Sequence, residues 1–291
     1  MTIFRSPLIS VGMTVHNCEK TLRMTVRSII RQTHRNWELL VIDDGSTDRT
    51  VEIAESFDDS RIRVVADGLH KGIPYRRNQT IEMSRGRYFG LLDGDDVAYP
   101  ERLNRQVTYL EEHPETDLLG CGVIVFKGNG VVLGTRRVWL SHEEICARPW
   151  AGFYLPHSTW MGKREWFRVH KYQPDLVRSE DQDLLLRTYK TSRFACLPDI
   201  LVGYREESVS LKKSFVGRCC FCKSLLREGF KHRDYALATR GVLGQCLKGG
   251  VDVFAVSTGL NYRILRHRAA PIDTSVSSRW TEVWSSVVRH K

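Results

Sequence analysis

Three carboxylates fall within four residues at Asp93-Gly94-Asp95-Asp96. Crowded acids repel one another unless a cation or solvent screens them. Hard divalent cations such as Mg²⁺ and Mn²⁺ accept one or two carboxylates together with substrate phosphates. Alone, such a cluster is most often a solvated acidic turn. Here it follows the apolar run Tyr88 to Leu92, and a second acidic pair, Asp43-Asp44, follows another apolar run. An acid at a strand end can accept hydrogen bonds from a nucleobase N–H or a ribose hydroxyl. Asp and Ser before a helix are also ordinary caps, and Ser46 or Thr47 is expected to serve as one. Arg76-Arg77-Asn78 reads as the lead into a helix, where a diphosphate would meet a guanidinium and free backbone N–H groups. Glu180-Asp181 opens another helix. The pair could supply a general base or merely complement the helix dipole, and spacing does not choose between the two. Ordinary core packing accounts for most aromatics of the stretch 150–167; His157 and Trp160, in a segment that reads as a loop, are the ones that could form an acceptor platform.

The elements that must position these groups alternate through the first half. Leu8 to Val15 is a buried strand, and Leu22, Val26, Ile29 and Ile30 then share one helix face. Further strands are expected at Glu38 to Ile42, Ile62 to Ala66, Tyr88 to Leu92 and Leu118 to Phe126. Helices are expected over Val51 and Ile53, around Asn78 to Arg85, and from Pro100 through Leu103, Val107 and Leu110. This βαβαβ order predicts an α/β chain with a parallel, doubly wound sheet. Ligands then sit at the carboxyl ends of the strands, where His16-Asn17, Asp43-Asp44 and Asp93 to Asp96 all fall. Beyond Asn129-Gly130, a turn signal, the pattern changes to a strand or hairpin over Val131 to Trp139, the aromatic stretch, a short helix at residue 180 and a last strand at Ile200 to Tyr204.

The 291 residues suffice for one large domain or two modest ones. Eight scattered cysteines lack zinc-knuckle spacing, which fits reduced thiols in a cytoplasmic protein. No uninterrupted apolar run of ~18 residues and no secretory leader pattern is found. Residues 1–211 carry 29 basic and 29 acidic side chains, and residues 212–291 carry 15 and 5, so the whole net charge of +10 lies in the tail. That tail mixes Leu225, Phe230 and Tyr235 with Lys223, Arg227 and Lys231, and repeats the mixture at Val253 to Val256 and Tyr262 to Arg268. Peripheral attachment to the inner face of an anionic membrane is one expectation, and helices packed on the catalytic body are the other.

Taken in order, Val15-His16-Asn17, Ser28-Ile29 with Gln32-Thr33, Trp37 to Asp48, Arg77-Asn78, Leu92 to Asp96 with Pro100 to Leu103, and Glu180-Asp181 resemble family 2 glycosyltransferases of the GT-A fold. The resemblance runs from Ser10 to about Tyr204. It implies a Rossmann-like, mostly parallel sheet over 1–211, with a nucleotide-sugar-binding half at 1–128 and an acceptor-binding half at 129–211, and a basic helical extension at 212–291. It implies that Val15, Asn17 and Asp44 hold the nucleotide base, that Arg77 lies near the diphosphate, and that Asp93 approaches the ribose or sugar. Asp95 would bind Mn²⁺ or Mg²⁺, Asp96 and Glu180 would face the acceptor, and Asp181 would be the general base. The implied reaction is inverting transfer from a nucleoside-diphosphate sugar, a UDP-sugar above others, to a glycan or lipid-linked acceptor in cell-surface polysaccharide synthesis. Two other classes fare worse. A sugar nucleotidylyltransferase wants a Gly-rich loop after the first strand, where this chain has His16-Asn17-Cys18-Glu19-Lys20. A nucleic-acid-binding protein is suggested by the sequence pI of about 9.3, but the charge is confined to the tail and no binding motif is present.

Overall fold

A computed structural model describes residues 6–207, 210–258 and 272–288. The strands are β1 (Ile9–Val15), β2 (Trp37–Asp43), β3 (Ile62–Val65), β4 (Tyr88–Leu91), β5 (Val97–Ala98), β6 (Leu118–Lys127), β7 (Val131–Thr135), β8 (Met161–Lys163) and β9 (Phe194–Arg205). The helices are α1 (Leu22–Ile30), α2 (Thr50–Glu55), α3 (Ile73–Met83), α4 (Arg102–Glu112), α5 (His142–Ile145), α6 (Arg164–Val169), α7 (Glu180–Thr188), α8 (Leu211–Lys231), α9 (Tyr235–Ser257) and α10 (Thr274–Val288). All strands join one sheet in the order β3-β2-β1-β4-β8-β6-β9-β5, with β7 paired to β6.

The apolar runs of the first half form this sheet because helices cover it and leave no strand face for polar residues. β1 pairs in parallel with β2 and β4, and Val15 lies level with Asp43. The amide of Leu92 continues the ladder by donating to the Gly12 carbonyl at 3.2 Å. The ends of β1, β2 and β4 therefore reach one edge, as their order in the sequence predicts. Two strands are not legible from periodicity, the two-residue β5, which pairs antiparallel with β9, and β8. The three-residue β8 runs antiparallel between β4 and β6, so the expected fifth strand does not adjoin the fourth. β9 is also longer than expected, starting at Phe194 and running in parallel along β6.

Three apolar clusters hold the layers. One lies between the sheet and α1, α2 and α4. A second gathers Phe89, Trp160, Phe167 and Leu184 with Phe221 and Leu225 of α8. The third sets Trp280, Val283 and Val287 of α10 against Tyr99, Ile124 and Phe126. The change of charge at residue 211 thus does not coincide with a gap in packing. Ser224 of α8 donates to buried Asp183 of α7 at 2.7 Å, and Arg227 also pairs with Asp183. A Cβ on Gly203 would stand 2.3 Å from the Trp280 ring, so a residue without a side chain is what lets α10 lie against β9. The segment Tyr262 to Arg268 lies outside the described residues.

Candidate active site

The acidic loop 93–96 is shaped by its neighbours. The Asp96 amide donates to the Asp93 carbonyl at 3.2 Å, which makes a tight turn. A Cβ at Gly94 would come within 2.8 Å of Val15 Cγ1, so β1 can press against this turn only because residue 94 is glycine. The three carboxyls then face different surroundings. Asp96 is buried; its Oδ1 accepts the Arg205 amide at 2.8 Å, and its Oδ2 has no hydrogen-bond partner among the described residues. Burial and then the charges of Asp95 and Asp93 push its carboxyl well above the usual range. Asp96 was expected to face the acceptor; with 1 % exposure it points instead into the base of the loop and has no surface to offer. Asp95 is half-buried and is pushed up to about 6 by burial and by Asp93. The Asp93 carboxylate is partly open to solvent and accepts from Arg77 at 3.1 Å.

Arg77 was expected ahead of a helix. It is the fifth residue of α3, because that helix begins at Ile73, so no free helix amides lie beside it. Its guanidinium is buried and bridges Asp93 to Glu180, 103 residues further along the chain. Burial opposes the charge, but Glu180 and Asp93 outweigh it and keep the group protonated. The residues just ahead of α3 are held by Asp44. That carboxylate is fully buried and accepts the amides of Lys71 at 2.8 Å and Gly72 at 3.0 Å, with Arg76 Nε at 3.1 Å and His70 Nδ1 at 3.0 Å. Asp44 was expected to present an oxygen to a nucleobase. Its oxygens are instead taken by the loop leading into α3, which it anchors.

The exposed surface above Asp44 is made by two histidines. The His16 and His70 rings lie 4.8 Å apart, and each Nδ1 is within 3.0 Å of the Asp44 carbonyl. His70 was not singled out in the sequence, although it follows β3 and so reaches the same sheet edge. Val15 is buried, and its carbonyl accepts the Asp44 amide at 2.8 Å. Asn17 adopts a left-handed backbone with φ 52°, and its side-chain oxygen accepts the Thr47 amide at 2.9 Å. Ser46 and Thr47 do not cap α2. Ser46 accepts the Asn17 amide, and Asp48 takes the Thr50 amide in their place.

On the far side of Asp93 opens a cleft of about 1220 Å³, reaching Asp181 and the faces of α8 and α9. Asp181 stands at the start of α7, whose cap residue Ser179 has φ 56°. Burial and then the Glu180 charge push its carboxyl up to about 6. The only hydrogen bond it accepts from another side chain among the described residues is a long one from Gln182, at 3.3 Å. His157 reaches the cleft; its Nε2 lies 2.8 Å from the Tyr172 hydroxyl, and burial beside Arg77 holds it neutral. Trp160 is not a platform. It is fully buried, and its indole N–H donates to the Leu155 carbonyl at 3.1 Å. The aromatic wall of the cleft is the stacked pair Trp139 and Tyr154, with ring centroids 4.8 Å apart. Tyr172 and Arg205 carry no signal in the sequence pattern. Asn78 fixes Tyr172 by a reciprocal pair of backbone bonds at 2.8 and 2.9 Å, and Arg205 Nε donates to the Asp95 carbonyl at 3.0 Å.

A Rossmann-like sheet with an acidic turn on one side of a cleft and a carboxyl of raised pKa on the other is the kind of arrangement that the glycosyltransferase resemblance implies. Solved structures agree on the fold. S. aureus TarS 1-349 with UDP-GlcNAc superposes with a TM-score of 0.62 at 17% identity, covering 97% of this chain and 81% of that one. TarS 1-349 with UDP gives 0.57 at 22% identity, covering 75% and 65%. The family described as "Glycosyl transferase family 2" matches residues 10–170. The putative glycosyltransferase EpsE of Bacillus subtilis is 33% identical over 214 residues, which is 71% of this chain and 76% of the relative. An Escherichia coli enzyme, UDP-Glc:alpha-D-GlcNAc-diphosphoundecaprenol beta-1,3-glucosyltransferase WfgD, is 36% identical over 103 residues, covering 35% and 41%. The chain belongs to glycosyltransferase family 2 and has the GT-A fold.

Proposed function

We propose that this enzyme transfers a sugar, with inversion, from a UDP-sugar to a hydroxyl of a glycan or lipid-linked acceptor in cell-surface polysaccharide synthesis. The observation that carries the proposal is Asp181: a carboxyl near pKa 6 that shares a cleft with Asp93 and has no ion-pair partner among the described residues. In this reading the acceptor hydroxyl enters between Trp139 and Asp181. Asp181 takes its proton as the oxygen attacks the anomeric carbon, and the nucleoside diphosphate leaves on the opposite side. One in-line displacement inverts the centre. A base with pKa near 6 is ionised at neutral pH and still strong enough to accept the proton. Arg77 fixes Glu180 and Asp93 on either side of that space.

The acidic turn suits a divalent cation, because Asp93 and Asp95 share one tight turn and the raised Asp95 carboxyl has no cation within 4.0 Å among the described residues. Among the described residues no three metal-ligating side chains converge, so Asp93 and Asp95 would hold the ion with diphosphate oxygens and water completing its shell. When bound, Mg²⁺ or Mn²⁺ would neutralise the charge on the departing diphosphate. Asn17 with the His16 and His70 rings would receive the nucleobase. A lipid-linked acceptor is supported by what the WfgD relative is named for, and peripheral membrane attachment by the basic tail. No helix among the described residues is long and apolar enough to cross a membrane. The test is nucleoside diphosphate release from a panel of nucleotide sugars with Mg²⁺ or Mn²⁺. Absence of both turnover and binding for every donor would refute the proposal.

A further inference from the structure

The cleft carries more positive charge than its own acids balance. Arg136 pairs with Glu206 at 3.1 Å and Arg218 with Asp252 at 2.6 Å. Arg178 and Lys213 line the same cleft, are exposed, and have no carboxylate within 4.0 Å among the described residues. They lie close to Asp181, because Ser179, next to Arg178, donates to the Gly217 carbonyl one turn beyond Lys213 at 3.0 Å. Two unpaired cations against the single unpaired carboxylate of Asp181 leave a positive excess, which calls for an anion on the substrate that enters there.

The α9 wall of the same cleft sets Leu247 and Val251 among Gln245, Lys248 and Asp252, and its apolar side continues out of the cleft. Leu243, Leu247, Val251 and Phe254 follow one another at intervals of four, four and three residues along α9, and so share one face. They are 65%, 74%, 61% and 63% exposed. Leu247 and Val251 belong both to the cleft and to a second hollow of about 520 Å³, whose other lining residues are Leu243, Cys246, Gly250 and Phe254. The helix is held in this position by the Arg218–Asp252 pair and by Lys248, which donates to the Ala151 carbonyl at 2.8 Å. An apolar stripe that starts inside a cationic cleft fits one occupant, an amphiphile with an anionic head and a hydrocarbon tail.

We infer that the cleft binds a lipid phosphate in one piece, with its phosphate at Arg178 and Lys213 and its hydrocarbon chain along Leu243, Leu247, Val251 and Phe254. This rests on the transferase reading for the role of the ligand as acceptor, but binding can be measured without turnover. The full chain would be titrated with dodecyl phosphate below its micelle concentration, and with butyl phosphate and dodecanol, by calorimetry. Dodecyl phosphate is expected to bind about a hundredfold more tightly than either the shorter or the headless probe. Leu247→Asn with Phe254→Asn should weaken dodecyl phosphate about tenfold and leave butyl phosphate unchanged. Arg178→Gln with Lys213→Gln should weaken both phosphates. All four side chains are exposed, so these variants should fold, which circular dichroism checks. Equal binding of dodecyl phosphate and dodecanol would overturn the inference. So would unchanged dodecyl phosphate binding in the stripe variant, whether the chain itself covers the stripe or the tail lies elsewhere. Loss of donor turnover with intact, chain-length-dependent binding would count against the transferase reading alone.

Discussion

Asp181→Asn separates a catalytic acid from a structural one, because the two roles predict opposite changes in stability. The Asp181 carboxyl is raised from 3.8 to about 6, by burial first and the Glu180 charge second. At pH 7.5 the group is therefore almost wholly ionised and available as a base. Removing a general base costs about 10²–10⁴-fold in rate. Transfer by the wild type should fall about tenfold per pH unit below about pH 6, where Asp181 becomes protonated. Stability runs the other way. A raised folded-state pKa means that the protonated form is favoured, so the group's contribution is full below pH 3.8 and is lost as pH rises through about 6. At pH 7.5 the ionised carboxylate costs up to about 3 kcal/mol, since each tenfold change in proton affinity is worth about 1.4 kcal/mol. Asparagine carries no such charge, so the variant should be more stable at pH 7.5 by about 1–3 kcal/mol. It should retain donor binding while transfer is lost. Nucleoside diphosphate release across pH 5–8 and urea unfolding at pH 7.5 measure the two sides. A variant that keeps transfer with an inflection near 6, or one that loses stability, would refute the reasoning.

Arg77→Met removes the cation between Glu180 and Asp93 and leaves two partly buried carboxylates unpaired. A loss of about 3–5 kcal/mol by urea unfolding is expected, and a loss under about 1 kcal/mol would mean that the bridge is not formed. Gly94→Ala sets a Cβ 2.8 Å from Val15 Cγ1 and 3.4 Å from Cys18 Sγ, and should cost about 1–3 kcal/mol while weakening nucleotide binding. An alanine variant with unchanged stability and nucleotide affinity would show that β1 does not press on the acidic turn. Trp280→Ala should cost about 3–5 kcal/mol, since the indole is 1 % exposed and packs on Tyr99 and Phe126. An unchanged melting temperature would mean that α10 is not part of the body's core.

The parallel half of the sheet is readable because β1, β2 and β4 are continuous apolar runs separated by helices, and that order alone sends their ends to one edge. β5 and β8 are not, because two or three residues show no period. The interior of the stretch 150–167 misleads for a related reason. Pro156 to Trp160 looks like an exposed loop, but its tight turn folds the indole of Trp160 back onto Leu155, and burial of an aromatic is decided by what packs over it. Helix boundaries decide the roles of the arginines. Starting α3 near Asn78 puts Arg77 at a helix end; starting it at Ile73 puts the guanidinium in the interior, and Asp44 takes the amides of Lys71 and Gly72 just ahead of the helix.

The larger gap concerns which acids are free, a property that local spacing cannot carry. Asp44, Asp93 and Glu180 look equivalent to Asp95 and Asp181 in the sequence. In the fold the first three are engaged by Arg76 or Arg77, and Glu180 meets its partner across 103 positions. Asp96 is enclosed. Asp95 and Asp181 remain, with no cation within 4.0 Å among the described residues and both carboxyls raised to about 6. Unbalanced charge is costly to keep in a folded protein, so it marks where a ligand is to supply the balance. In the proposed reaction Asp95 would lie on the donor side and be balanced by a cation. In the same reading Asp181 would lie on the acceptor side and be balanced by a proton, which an attacking hydroxyl would bring.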